Sequence, residues 1–155
     1  MSFSVSGLPV EVFQPLFGLD EAALAARGIV RYVAQPGDRC PCRITLEDAR
    51  PGESVLLLNH RHHDVATPYR SDYAIFVNES ALATRRAEGE LPPVLKNRPI
   101  AVRAYSADGT LLGAELALDN DVETVIERSF ADPEVAYLHA HNAAHGCYAA
   151  RIDRG

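Results

Sequence analysis

The chain has 155 residues, of which 47% are hydrophobic and 23% charged, with 10 Gly and 10 Pro, so it is predicted to be one globular domain spanning 1–155 rather than disordered, collagen-like or multidomain. A formal charge of −6 repels phosphate backbones and argues against a nucleic-acid partner. No run approaches the ~20 apolar residues that cross a bilayer, Met1 to Ser6 lacks the basic and apolar regions of a signal peptide, and three cysteines are an odd number for a disulfide framework; a soluble cytoplasmic protein is expected.

In chain order, Phe3 to Ser6 reads as a short strand, followed by a helical stretch from Pro9. A second helix follows, with Asp20 as N-cap, Glu21 in its first turn and Gly28 beyond its end. Gly28 to Val33 alternates apolar and polar positions, as a half-buried strand does. Gln35 to Gly52, with its prolines and the Cys40-Pro41-Cys42 pair, reads as loop. That cysteine spacing is too short for the usual zinc knuckle. Ser54 to Leu58 is a continuous apolar run expected of a central strand, which ends in the polar run Asn59-His60-Arg61-His62-His63-Asp64.

After a turn at Thr67-Pro68, Tyr73 to Val77 is a further strand, and Ala81 to Pro93 is expected to be a solvated excursion. Ile100 to Tyr105 and Thr110 to Leu118 flank Asp108-Gly109, the strongest hairpin turn in the chain. Val122, Val125, Ile126 and Phe130 fall at helical spacing, predicting an amphipathic helix over 119–131 that Asp132-Pro133 stops. Val135 to His141 and Cys147 to Ile152 form a C-terminal hairpin around a Gly-containing loop. Strands and local hairpins dominate, so the class is α+β, a single domain with a mostly antiparallel sheet and a few short helices.

Several chemistries lack their motifs. There is no G-x-G-x-x-G, P-loop, H-E-x-x-H, C-x-x-C or G-x-S-x-G, which weighs against Rossmann dehydrogenases, P-loop ATPases, zincins and α/β-hydrolases. Asp119 to Glu123 resembles half a calcium loop but lacks the central Gly and distal Glu. Lys96 is the one lysine, so Schiff-base catalysis would rest on a Pro-rich segment with no apolar pocket pattern.

The polar residues that remain gather in two blocks. A symmetric C-terminal hairpin pairs His141 with Cys147 and Tyr137 with Arg151. One face then carries Leu138, Ala140, Tyr148, Ala150 and Ile152 toward the core, and the other carries Tyr137, His139, His141, Cys147 and Arg151 outward. His-x-His on a strand sets two imidazoles ~7 Å apart along one face. That spacing suits a divalent transition metal, with His60 or Cys147 as a third ligand, and equally suits solvated, hydrogen-bonded histidines. In the Asn59 to His63 run, adjacent histidines cannot face the same way along an extended chain. Arg70 and Arg151 are candidates to clamp an anion, or else to pair with Asp64, Asp72 or Asp153.

Leu56-Leu57-Leu58-Asn59-His60, Pro68-Tyr69-Arg70-Ser71 and Ala74-Ile75-Phe76-Val77 resemble a bacterial family known as domain of unknown function 1203, as do Ala136 to Asn142 and Gly146 to Arg151. Gly7-Leu8-Pro9 and Pro15-Leu16-Phe17 share the likeness, which covers nearly the whole chain. The resemblance implies one full-length domain and transfers no activity, cofactor or catalytic residue.

Three functional expectations follow. The first is a pocket beside the C-terminal hairpin that binds a small anion, with Asn59, His60, Arg70, Ser71, Cys147 and Arg151 binding and His139 and His141 moving a proton. The second is a metal-dependent hydrolase or oxygenase with His139, His141 and His60 as ligands. The third is a protein-interaction module with no small-molecule site.

Overall fold

In the computed structural model, which describes residues 2–155 and leaves Met1 outside, the alternating segments sort into two antiparallel sheets. The elements are β1 (Phe3–Ser6), α1 (Val10–Phe13), α2 (Glu21–Ala25), β2 (Val30–Val33), β3 (Ser54–His63), β4 (Ser71–Asn78) and β5 (Arg86–Glu88), then β6 (Ile100–Tyr105), β7 (Leu111–Ala117), α3 (Val122–Phe130), β8 (Tyr137–Asn142) and β9 (Tyr148–Arg154). A six-stranded sheet runs β5-β1-β9-β8-β6-β7 and a three-stranded sheet runs β2-β3-β4. The protein is therefore α+β, a single domain of mostly antiparallel sheet with short helices and a C-terminal hairpin. Among the described residues no helix is long and apolar enough to cross a membrane.

Helix boundaries follow local chemistry. The Asp20 side chain accepts a hydrogen bond from the Ala23 N–H at 2.8 Å, satisfying a free donor of α2. In α3 the residues at helical spacing, Val122, Val125, Ile126 and Phe130, are all buried. They pack with Ile100, Val102, Leu138, Ala140 and Ile152 on one face of the larger sheet to make the main apolar core. A second core lies between α1, α2 and the small sheet, around Phe13, Leu24, Leu56, Leu58, Ile75 and Val77.

Strand β2 is mostly exposed rather than half-buried, with Val30, Tyr32 and Val33 open to solvent, and three further segments differ from their sequence expectation. Strand β3 does not stop at Leu58 but continues through His63, because β4 supplies paired backbone up to Ser71. The stretch expected to be a solvated excursion contains β5, which pairs with β1 and buries Ala87, while Ala81 and Leu91 are also buried. The expected loop over 35–52 folds into the body, burying Cys40, Cys42, Ile44 and Leu46 and bridging Cys42 to Phe76 of β4. Gly7 makes that docking possible: a β-carbon there would stand 2.1 Å from the Ile44 carbonyl oxygen. Cys42 is held structurally, its Sγ accepting from the backbone N–H groups of Asn78, Ile44 and Thr45 at 3.2, 3.4 and 3.5 Å.

Candidate functional site

The second face of the larger sheet is polar and aromatic. Tyr105 of β6 pairs with Tyr137 of β8, and Arg103 with His139, while His139 also pairs with Arg151 of β9. The hairpin register corrects the expected pairing: His141 stands opposite Tyr148, not Cys147, and Tyr137 opposite Asp153, not Arg151. A β-bulge between Ala140 and His141 inserts Ala149 as an extra residue. It turns Tyr148 onto the histidine face, whereas strict alternation put it on the apolar one. This face was expected outward; instead His139 is 3% exposed and His141 0%.

The cover is the far end of β3. A second bulge between Arg61 and His63 frees two adjacent rings from strand alternation, so His62 and His63 both reach the larger sheet. The His63 Nδ1–H donates to the Tyr69 carbonyl at 2.8 Å, leaving Nε2 to accept from the Tyr137 hydroxyl at 2.7 Å. His62 stacks on Tyr148 at 5.2 Å, and its ring lies 5.3 Å from that of His141 and 6.3 Å from that of His139. The His141 Nδ1–H donates to the Gly146 carbonyl at 3.0 Å.

Three buried ring nitrogens have no hydrogen-bond partner among the described residues: His62 Nδ1, His139 Nδ1 and His141 Nε2. Burial, reinforced by neighbouring histidines, pulls the pKa of His139 down to about 2. Burial holds His141 at about 3 against the Gly146 hydrogen bond, and burial with the charge of Arg103 holds His62 at about 4. All three rings are neutral near pH 7, which makes them poor proton carriers there.

At the hairpin tip, beside Asn142 and Cys147, a pocket of about 430 Å³ lies between the two sheets. Its walls are mainly apolar, with Pro41, Leu57, Ala74, Phe76 and Pro99, and its polar groups include Arg43, Asn142, His145 and Cys147. No Asp or Glu lines it. Arg43 is 2% exposed, its Nε donating to the Tyr148 carbonyl at 2.7 Å and its Nη1 to the Pro41 carbonyl at 2.5 Å. Among the described residues it has no carboxylate partner. Burial pulls the guanidinium below its ordinary pKa, opposed by the neighbouring Cys147 sulfur. Arg98, also in the lining, is neutralised by Asp48 at 2.5 Å.

The residues singled out in the sequence divide among these places. His139 and His141 lie in the chamber, and Cys147 lines the pocket, where its Sγ accepts from Asn142 Nδ2 at 3.4 Å. His60 lies apart, half-buried against the Phe13 ring at 5.4 Å, so the histidines that meet His139 and His141 are His62 and His63. Asn59 is exposed on β3, and the Ser71 hydroxyl donates to the Tyr69 carbonyl. The two proposed clamp arginines are each paired with a carboxylate: Arg70 with Asp64 at 3.4 Å, and Arg151, over the Tyr137 ring, with Asp153 at 2.9 Å. Arg43 was missed because its segment read as loop. The available sign was an arginine framed by Cys42 and Ile44, residue types that are usually buried.

Against known families, the model described as Protein of unknown function (DUF1203) matches residues 39–154. The chain belongs to this family. The matched span takes in the Arg43 loop, both halves of the pocket and all of the histidine chamber. No curated protein and no solved structure matches the chain.

Proposed function

We propose that the protein binds a small organic anion, a carboxylate on an apolar body, in the pocket floored by Arg43. The observation that carries this reading is a buried guanidinium without a carboxylate, in an acid-free pocket of a chain whose net charge is −6. A buried cation left uncompensated is costly, and an anionic ligand supplies the missing partner in a geometry that arginine binds in a bidentate manner. Leu57, Phe76 and Pro99 give the ligand's apolar part a surface, while Asn142 and Cys147 add polar contacts at one end. The cavity volume lies within the range of small-molecule sites.

The test is a melting-temperature titration at constant ionic strength with acetate, benzoate, phosphate and chloride. Benzoate is expected to raise the melting temperature saturably and more than acetate, as a ligand selective for the native state does. Equal responses to all four salts would remove the proposal.

A further inference from the structure

The histidine chamber lies outside that pocket and has its own unexplained feature. Polar atoms buried in protein interiors nearly always have partners, yet His62, His139 and His141 each hold one nitrogen away from both solvent and hydrogen bonds. They sit close together, with ring centres separated by 5.3, 6.3 and 6.3 Å. Two come from alternate positions of β8 and one from the bulge of β3, so the triangle is closed by strands of two different sheets. The arrangement has one outer support typical of ligating histidines: the His141 Nδ1–H is fixed on the Gly146 carbonyl, which frees Nε2 as a lone-pair donor.

We propose that His62, His139 and His141 bind a divalent first-row transition metal through three imidazole nitrogens. As the rings stand, no group of three His, Cys, Asp or Glu donors among the described residues is placed to hold a metal ion, so binding requires the rings to rearrange. The point equidistant from the three ring centres lies about 3.5 Å from each, against ~3.2 Å for a ring whose nitrogen is ~2.1 Å from zinc. Closing the site requires the rings to draw in and to turn their three free nitrogens toward that point by rotation about the side-chain torsions. His63 is not a ligand, because the Tyr69 carbonyl and the Tyr137 hydroxyl occupy both its nitrogens.

The experiment uses the untagged full chain, stripped with chelator and dialysed, and titrates it with Co²⁺ alone. The expected result is one Co²⁺ bound per chain, with the visible d–d absorption of a nitrogen-ligated, low-coordinate ion and no thiolate charge-transfer band. His62→Gln and His141→Gln are each expected to weaken binding at least ~100-fold, while Cys147→Ser leaves it unchanged. His141 is fully buried, so its variant is judged only if its circular dichroism matches wild type; half-buried His62 supplies the second variant. Failure of the stripped protein to bind Co²⁺ stoichiometrically overturns the proposal. So does binding that survives His62→Gln, or binding that disappears with Cys147→Ser. The anion pocket is read out separately by the benzoate titration, so either site can fail without the other.

Discussion

Arg31 and Arg43 are two arginines folded into the same molecule, one with acids and one without. Arg31 on β2 holds Glu79 through Nε at 2.7 Å and Nη2 at 3.0 Å, reaches Glu21 at 2.5 Å, and donates to the Leu19 carbonyl at 2.6 Å. Glu79 is satisfied in turn by the Ser54 hydroxyl and the Gly18 N–H. That network is complete within the chain and fastens the α2 end to the small sheet. Arg43, more deeply buried, has carbonyl oxygens and a cysteine for neighbours. A guanidinium whose charge is answered inside the fold serves the fold, whereas one whose charge is left unanswered beside a cavity is available to a ligand.

The comparison is broken most severely at Arg43. Arg43→Met is expected to weaken benzoate binding by at least ~30-fold, on the order of 2 kcal/mol, because it removes the buried guanidinium that lines the pocket without a carboxylate. The same variant is expected to keep its stability within about 1 kcal/mol of wild type. Removing a buried charge offsets the loss of two hydrogen bonds to carbonyls. Urea unfolding and benzoate calorimetry on one preparation check both halves.

Glu79→Gln should behave in the opposite way, lowering stability by about 2 kcal/mol and leaving benzoate affinity unchanged, since Glu79 is outside the pocket lining. Its pH dependence sharpens the contrast. Hydrogen bonds from Arg31 hold the Glu79 carboxyl at about 2, below the 4.5 of an unperturbed glutamate. The folded value is depressed, so the pair's contribution is complete above about pH 4.5 and is lost as pH falls through about 2. Acid unfolding of wild type and Glu79→Gln should therefore converge across that window. Curves that stay parallel there would show that the carboxylate is not what fastens β2.

The smallest effects are expected at the surface pairs. Arg70→Ala and Arg151→Ala are each expected to change stability by about 0.5 kcal/mol or less and benzoate affinity by less than twofold, because both side chains are exposed and pair with Asp64 and Asp153. A tenfold loss of binding in either would return the anion site to the hairpin face that the sequence suggested.

Much of the fold was legible because its determinants are local. Asp20 caps α2, the spacing of Val122, Val125, Ile126 and Phe130 makes α3, and Asp108-Gly109 turns β6 into β7. The site was legible only in its ingredients. His139 and His141 stood out on their strand, but their burial depends on the β3 end crossing onto the other sheet. Two bulges decided which rings meet: one brings Tyr148 onto the histidine face, the other lets His62 and His63 point together. A bulge changes side-chain parity by one residue and leaves little trace in an apolar pattern. Arg43 depends on a long-range event, the docking of its loop against Gly7 and Phe76, that no periodicity announces.

The most direct test of the central claim is calorimetric titration of benzoate and of the isosteric neutral amide, benzamide, into wild type and Arg43→Met. Saturable binding of benzoate to wild type alone, with neither ligand binding the variant and benzamide not binding wild type, is the predicted result. Equal binding of the acid and the amide, undiminished binding in Arg43→Met, or no binding of benzoate to wild type would contradict it.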